Sequence, residues 1–207
     1  MDFIAFLLIY CTVSLGILVI RANKRSDIKA KKEAEDFWGR ENASNSVRRA
    51  DISSLDYITV PVSSLPTDVL LDHNMQELSD TLLELSHKKI LNLSGYSNTD
   101  LKMLYGPANL EELSSCDENF THLIRTLNSI GVGLNDAGAS AFAKAFLEYA
   151  VSIGSDISST YTTLGEIYVS ENDTSSLDKL IEKAGELSSI SGPTTIIKLN
   201  NIKSGNK

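Results

Sequence analysis

The chain has few of the residues that build metal centres or disulfide frameworks. Its 207 residues include two cysteines and three histidines. Cys11 lies in an apolar run and Cys116 in the acidic remainder, so we do not expect the two thiols to form a disulfide. The histidines, His73, His87 and His122, are too scattered for a metal-ligand pattern. No metal or other cofactor is therefore expected.

Motifs that mark catalysis are also lacking. The sequence contains no G-x-S-x-G turn, phosphate-binding loop or H-E-x-x-H motif. Acidic pairs such as Glu111-Glu112 are interpreted as solvated or first-turn helix positions. The segment Tyr96–Tyr105, which is rich in turn residues and hydroxyls, is the one place where we consider an unrecognised catalytic site. A turn region that caps a helical stack explains that segment better, and we do not expect an enzyme.

Positive charge is scarce over most of the chain. Residues 1–50 carry nine Lys/Arg and six Asp/Glu, a net charge of +3, whereas residues 51–207 carry ten and 21, a net charge of −11. An acidic domain repels phosphate backbones, so nucleic acid is not an expected partner. No pattern for a small-molecule substrate is evident either, and other proteins are the expected partners.

Charge is absent from residues 3–20, which are almost wholly apolar. As a helix, these 18 residues would span about 27 Å, close to the thickness of a hydrocarbon core. A cleaved signal peptide would need a basic start and small residues at the cleavage site, and neither is present. Residues 1–21 are therefore predicted to be a transmembrane anchor.

Basic residues crowd one flank of this predicted span. They are Arg21, Lys24, Arg25, Lys29, Lys31 and Lys32. Positive flanks stay in the cytoplasm and rest on anionic headgroups. We therefore expect a single-pass protein of the cell membrane with its C-terminal domain in the cytoplasm. The opposite orientation would expose four glycosylation patterns, which begin at Asn42, Asn92, Asn119 and Asn172.

Residues 22–66 separate the predicted span from the rest of the chain. Residues 22–40 are predicted to form a charged helix, with Trp38 packing on protein. Residues 41–56 are polar and are interpreted as a linker, and the prolines that follow disfavour a helix. Further helices are predicted from Met75 to Ser86 with Asn74 as N-cap, from Thr99 or Asp100 to Gly106, and near Leu110.

The most informative pattern is a 34-residue period. Seven positions of one stretch recur in the next. They pair Leu127 with Tyr161, Ile130 with Leu164, Gly131 with Gly165, Leu134 with Tyr168, Ala143 with Leu177, Leu147 with Ile181, and Ala150 with Ala184. Asp136, Ser155 or Asp156, and Asp173 or Thr174 precede helical runs and are predicted N-caps, whereas Gly154 and Gly192 are predicted helix ends.

This period and pattern resemble the tetratricopeptide repeat family. The resemblance implies two antiparallel helical hairpins, residues 124–157 and 158–191, in an all-α domain that covers residues 67–203. It also implies that each repeated glycine faces the partner helix and allows close approach. Two hairpins are fewer than the three that stacking usually requires, so residues 67–116 and Pro193–Ile202 are expected to act as irregular and helical caps.

Members of the family often bind an extended peptide in the groove lined by the first helix of each hairpin. Carried over by position, the groove candidates are Arg125, Asn128, Ser129, Val132, Ser159, Thr162, Thr163 and Glu166. The lining could instead accept the protein's own capping helix.

The function that the resemblance implies is a membrane-anchored cytoplasmic scaffold or adaptor that binds proteins. The alternative is a structural subunit that assembles through its transmembrane helix. An enzyme with a site near Tyr96–Tyr105 is the third and least favoured interpretation.

Overall fold

The computed structural model describes residues 24, 28–187 and 191–205. Within these ranges the protein is all-helical, without a strand. The helices are α1 (28–44), α2 (Val69–Asp72), α3 (Gln76–Ser86), α4 (Asn98–Tyr105), α5 (Leu110–Asp136), α6 (Ser140–Ser152), α7 (Ser158–Ser170), α8 (Thr174–Gly185) and α9 (Gly192–Ser204). A short 3-10 helix, Pro107–Asn109, precedes α5.

None of the helices in these ranges is both long and apolar enough to cross a bilayer. The predicted span, residues 3–20, lies outside the described residues. The chain divides into two compact units, one of residues 1–50 with Ser97–Leu110 and one of Asp51–Tyr96 with Glu111–Lys207.

The first unit is held together by polar contacts between α1 and α4. The Glu41 carboxylate accepts hydrogen bonds from Thr99 Oγ1, at 2.7 Å, and from Lys102 Nζ. These bonds lower the pKa of Glu41, with Lys102 the larger cause. The Lys102 side chain is only 9% exposed, so the pair fixes the two helices to each other.

Two predictions in the first unit need correction. Helix α4 is capped by Ser97, whose hydroxyl accepts from the Asp100 N–H, so Ser97 and not Thr99 or Asp100 is the N-cap. Asp100 completes the capping box from inside the helix, which is the usual role of an acid at that position. Trp38 does not pack on the protein as predicted, because 61% of it is exposed and its ring meets that of Phe37 edge-on.

The second unit surrounds one apolar core built from the predicted repeat positions. Most of the seven repeated pairs are buried, and only Ile181 is half-buried. Phe120 and Phe146 add aromatic bulk that the period does not include. Burial of these side chains is the main source of stability for the hairpins.

One turn geometry joins the two helices of three hairpins in the second unit, and it also occurs at Gly154, between α6 and α7. In each hairpin turn a residue with positive φ, Asn74, Gly138 or Asn172, ends the first helix. The N–H of the next residue then donates to the carbonyl five residues earlier, at 2.8 Å in all three turns. Gly138 and Asn172 are 34 residues apart, as the sequence period requires. The third turn, at Asn74, joins α2 to α3 and shows that this pair is a hairpin with a first helix of one turn.

That turn explains why Asn74 is not the predicted N-cap of α3. Asparagine tolerates the left-handed conformation, and Asn74 uses it with φ +57°. The N-cap is Met75, which makes no side-chain cap. Met75 instead packs on α5, where a Cβ on Gly133 would lie 2.6 Å from its Cε.

Other predicted helix ends are partly right. Asp173 caps α8 by accepting from the Ser176 N–H at 3.0 Å, as predicted. Asp136, however, is the last residue of α5, and Ile157 precedes α7 without a side-chain cap. Gly192 begins α9 and does not end a helix. The short helix predicted near Leu110 is the first part of α5, because no turn residue interrupts the chain after it.

Candidate protein-binding face

Helices α5, α7 and α9 lie side by side and are joined by hydroxyl contacts. Asn128 Oδ1 on α5 accepts from Ser159 Oγ at 2.8 Å and from Thr160 Oγ1 at 3.0 Å on α7. Thr195 Oγ1 on α9 donates to Ser158 Oγ on α7 at 3.0 Å. Helix α9 begins 34 residues after α7, in the place that the first helix of a third hairpin would occupy. We refer to the exposed surface of these three helices as the A face.

The structure separates the eight candidate residues into four without a side-chain hydrogen bond to any described residue and four that are hydrogen-bonded or buried. Arg125, Ser129 and Glu166 are exposed, and Val132 is half-buried. These four are available to a ligand.

The other four candidates are held by contacts within the protein. Ser159 is exposed, but its hydroxyl donates to Asn128 Oδ1, and Thr162 Oγ1 donates to the Ser159 carbonyl at 3.3 Å. Thr163 is only 9% exposed. Sequence reasoning could not identify these roles, because a hydroxyl that bridges two helices has the same local pattern as one that faces a groove.

Arg125 is the one positively charged residue among the eight groove candidates. Within the described ranges its side chain forms no ion pair and no hydrogen bond, and it is exposed. Neither Asp117 nor Glu118 forms an ion pair with Arg125 in the structure, and Asp117 Oδ1 accepts from the Leu93 N–H at 3.0 Å. The guanidinium is therefore free to bind an acidic group.

Helix α9 extends the A face beyond the predicted residues. By the 34-residue period, Pro193, Ile197 and Asn200 stand where Ser159, Thr163 and Glu166 stand on α7. Ile197 is 61% exposed and adds an apolar position. These residues could have been found in the sequence by extending the 34-residue period from α7 to α9.

Two buried tyrosines support the hairpins without being free to react. Tyr161 donates to the Ser155 carbonyl at 2.9 Å, and burial raises its pKa to about 12. Tyr168 donates to Glu148 Oε1 at 2.8 Å, and burial, together with that bond, raises its pKa further. Both hydroxyls stay protonated at neutral pH and serve as hydrogen-bond donors between elements.

The polar groups near the Tyr96–Tyr105 segment have structural partners. Lys102 is held by Glu41 and Asn45, and Asp100 is held by Ser97 and Arg40. Next to this segment, the buried Asn109 amide donates to the carbonyls of Ala50 and Tyr105. The polar residues of this segment are therefore explained by their hydrogen bonds to residues 40–50, without a catalytic role.

Within the described ranges, no group of His, Cys, Asp and Glu is close enough together to hold a metal ion. Comparisons of the chain with models of protein families, with curated proteins and with solved structures found no match.

Proposed function

We propose that this chain is a membrane-anchored adaptor of the tetratricopeptide repeat type, which binds other proteins through the A face. The observation that carries the proposal is the A face itself, which combines three neighbouring helices of one period with an unpaired, exposed Arg125. A regular row of exposed positions on neighbouring helices suits an extended peptide, since a peptide can contact each helix in turn.

The anchor is proposed from the sequence. Residues 3–20 carry no charge, and six basic residues follow them. Such an arrangement holds the helical domain at the cytoplasmic surface of the cell membrane. The domain would then meet partners that are themselves at that surface, which raises their effective concentration.

The ligand group that Arg125 would bind is acidic. A guanidinium forms paired hydrogen bonds with a carboxylate, and the surrounding domain is too negative to attract an acidic partner without such a specific contact. The neighbouring Ser129 and the apolar Ile197 on α9 would contribute hydroxyl and apolar contacts.

The test uses the full chain in cell membranes, with a photo-crosslinking amino acid at position 197 on the A face. We expect Arg125→Glu to lower crosslinked partner at least tenfold. Lys179→Glu is the matched control, because it introduces the same charge at an exposed position of α8, outside the A face, and should leave crosslinking unchanged. Equal crosslinking in Arg125→Glu and the parent chain would contradict the proposal.

A third variant separates the proposed function from lateral assembly through the span. In it, residues 3–20 are replaced by a leucine-rich span of equal length. We expect partners of the A face to be retained. Loss of every partner in this variant, with crosslinking kept in Arg125→Glu, would favour a structural subunit that assembles in the membrane.

A further inference from the structure

The second unit contains a cleft of about 970 Å³ that is separate from the A face candidates. Its walls come from the loop at residues 91–95, the end of α6 and the end of α8, with Asp56 and Ile58 at one side. None of the eight groove candidates lines it. A cleft of this size is at the upper end of the range that holds drug-sized ligands, so it can take a short peptide segment.

The electrostatics of the cleft favour a cation. Three carboxylates line it, those of Asp56, Asp156 and Glu186, against one lysine, Lys183. In the part of the chain that the structure describes, none of these four groups forms an ion pair. Carboxylates without partners beside a concave surface hold negative potential there.

Two helix ends add to that potential. Helix α6 ends at Ser152 and helix α8 ends at Gly185, and residues at both ends line the cleft. The C-terminal end of a helix carries a partial negative charge, which favours cations. These dipoles are fixed in the backbone and act independently of the three carboxylates.

The cleft also has apolar walls. Ile58, Leu91, Val151 and Leu187 contribute to its lining. An apolar wall lowers the local dielectric, which strengthens a charge pair formed beside it. It also favours a ligand in which apolar side chains flank the charge, and such a ligand is a peptide.

We propose that this cleft binds a segment of a partner protein that carries an arginine or lysine between apolar residues. A divalent metal does not fit as well, because the acidic groups here are too far apart to hold one ion together. The field of the carboxylates reaches the cleft wall, since Asp156 and Glu186 both raise the pKa of Tyr161 beyond the effect of its burial. The net charge of −11 over residues 51–207 would steer such a segment toward the domain.

The test measures binding of a defined probe to the full chain in zwitterionic micelles. The probe is a blocked hexapeptide, acetyl-Gly-Leu-Arg-Leu-Arg-Gly-amide, and its partner replaces both arginines with citrulline, which has the same shape without the charge. We expect the arginine peptide to bind at least tenfold more tightly, with NMR shift changes at the amides of Gly154 and Ser94. Equal affinity for the two peptides, or no binding of either, would overturn the proposal.

Variants of the protein assign the effect to the cleft. The pair Asp156→Asn with Glu186→Gln should weaken the arginine peptide at least tenfold, and Lys183→Met should tighten it about threefold by removing a competing cation. Glu182→Gln, an exposed change one turn earlier on α8, should have no effect. Asp156 also lies just before α7, so its charge could serve that helix alone. An unchanged affinity in the double variant, whatever its melting temperature, would contradict the proposal.

Discussion

The two hairpins share a sequence pattern but fill the space beside their glycines in different ways. In the first hairpin a Cβ on Gly131 would lie 2.4 Å from Leu147 Cγ, so the glycine accommodates the second helix of its own hairpin. In the second hairpin a Cβ on Gly165 would lie 2.7 Å from Leu199 Cδ2, which belongs to α9. Gly131 therefore makes room for a side chain of its own hairpin, whereas Gly165 makes room for a side chain of the next helix, α9.

More than one position of the repeat contributes to the difference, since Leu199 stands 34 residues after Gly165, whereas the residue 34 positions after Gly131 is the glycine Gly165. Ala143 of the first hairpin is replaced by Leu177 in the second, and Leu177 is 1% exposed. Its Cδ1 would lie 3.5 Å from a Cβ on Gly165, an ordinary contact distance. Leu177 and Leu199 together fill the space beside Gly165. The second hairpin consequently depends on α9 in a way that the first does not.

Removing the α9 side chain should have the largest effect. Leu199 is fully buried, so Leu199→Ala is expected to lower the free energy of unfolding by about 2–5 kcal/mol, through lost burial and the cavity left behind. Urea unfolding of the full chain measures the change. Ile197→Ala, an exposed change on the same helix, should stay within about 0.5 kcal/mol. Equal effects of the two variants would mean that α9 does not support the second hairpin.

The glycines themselves should respond unequally. Gly131→Ala forces Leu147 to move at a branched carbon and is expected to destabilise by about 1–3 kcal/mol. Gly165→Ala meets only the tip of Leu199, which can rotate, and the better helix propensity of alanine offsets about 1 kcal/mol. Gly165→Ala should therefore stay within about 1 kcal/mol of the parent chain. Thermal unfolding of both variants gives the comparison, and a larger loss at Gly165 would reverse the assignment of the two contacts.

The repeated part of the fold could be predicted because its signal is local and occurs twice. Apolar positions with helical spacing, two glycines at one offset and Asp173 before a helix are all visible in the sequence. The hairpin of α2 and α3 could not be recognised, because its first helix has only one turn and carries no period. Its turn is identified by the left-handed backbone conformation of Asn74. Asparagine tolerates this conformation but does not require it, so the sequence alone does not indicate the turn.

The candidate site could be predicted only in part. Arg125 and Glu166 are exposed as the carried-over pattern expects, whereas Asn128 and Thr163 serve internal contacts. Whether a candidate side chain is exposed or engaged depends on which residue of the neighbouring helix lies opposite it. That residue is distant in the sequence, so the local pattern does not reveal it. The Glu41–Lys102 pair was missed for the same reason, since 61 residues separate its members.

The two hairpins also differ in the residue that precedes their second helix, and this difference is expected to have the smallest effect on stability. Asp173 accepts from Ser176, and these hydrogen bonds lower its pKa from the ordinary 3.8. Ala139 stands at the equivalent place in the first hairpin and cannot cap α6. Because the folded pKa of Asp173 is lowered, its stabilisation is present above pH 3.8 and is lost as the pH falls through the folded value.

The comparison of Asp173→Asn with the parent chain isolates this contribution. Asparagine caps about as well as aspartate but does not titrate, so the two proteins should have similar melting temperatures at neutral pH. Below pH 3.8 the parent should lose stability relative to Asp173→Asn. In the first hairpin, Ala139→Asn should add up to about 1 kcal/mol at every pH, because it supplies a cap where none exists. Melting temperatures measured from about pH 7 to about pH 2 test both variants, since all other carboxylates are common to them. If the parent and Asp173→Asn lose stability in parallel, Ser176 does not depend on the charge of Asp173, and the two turns differ in sequence alone.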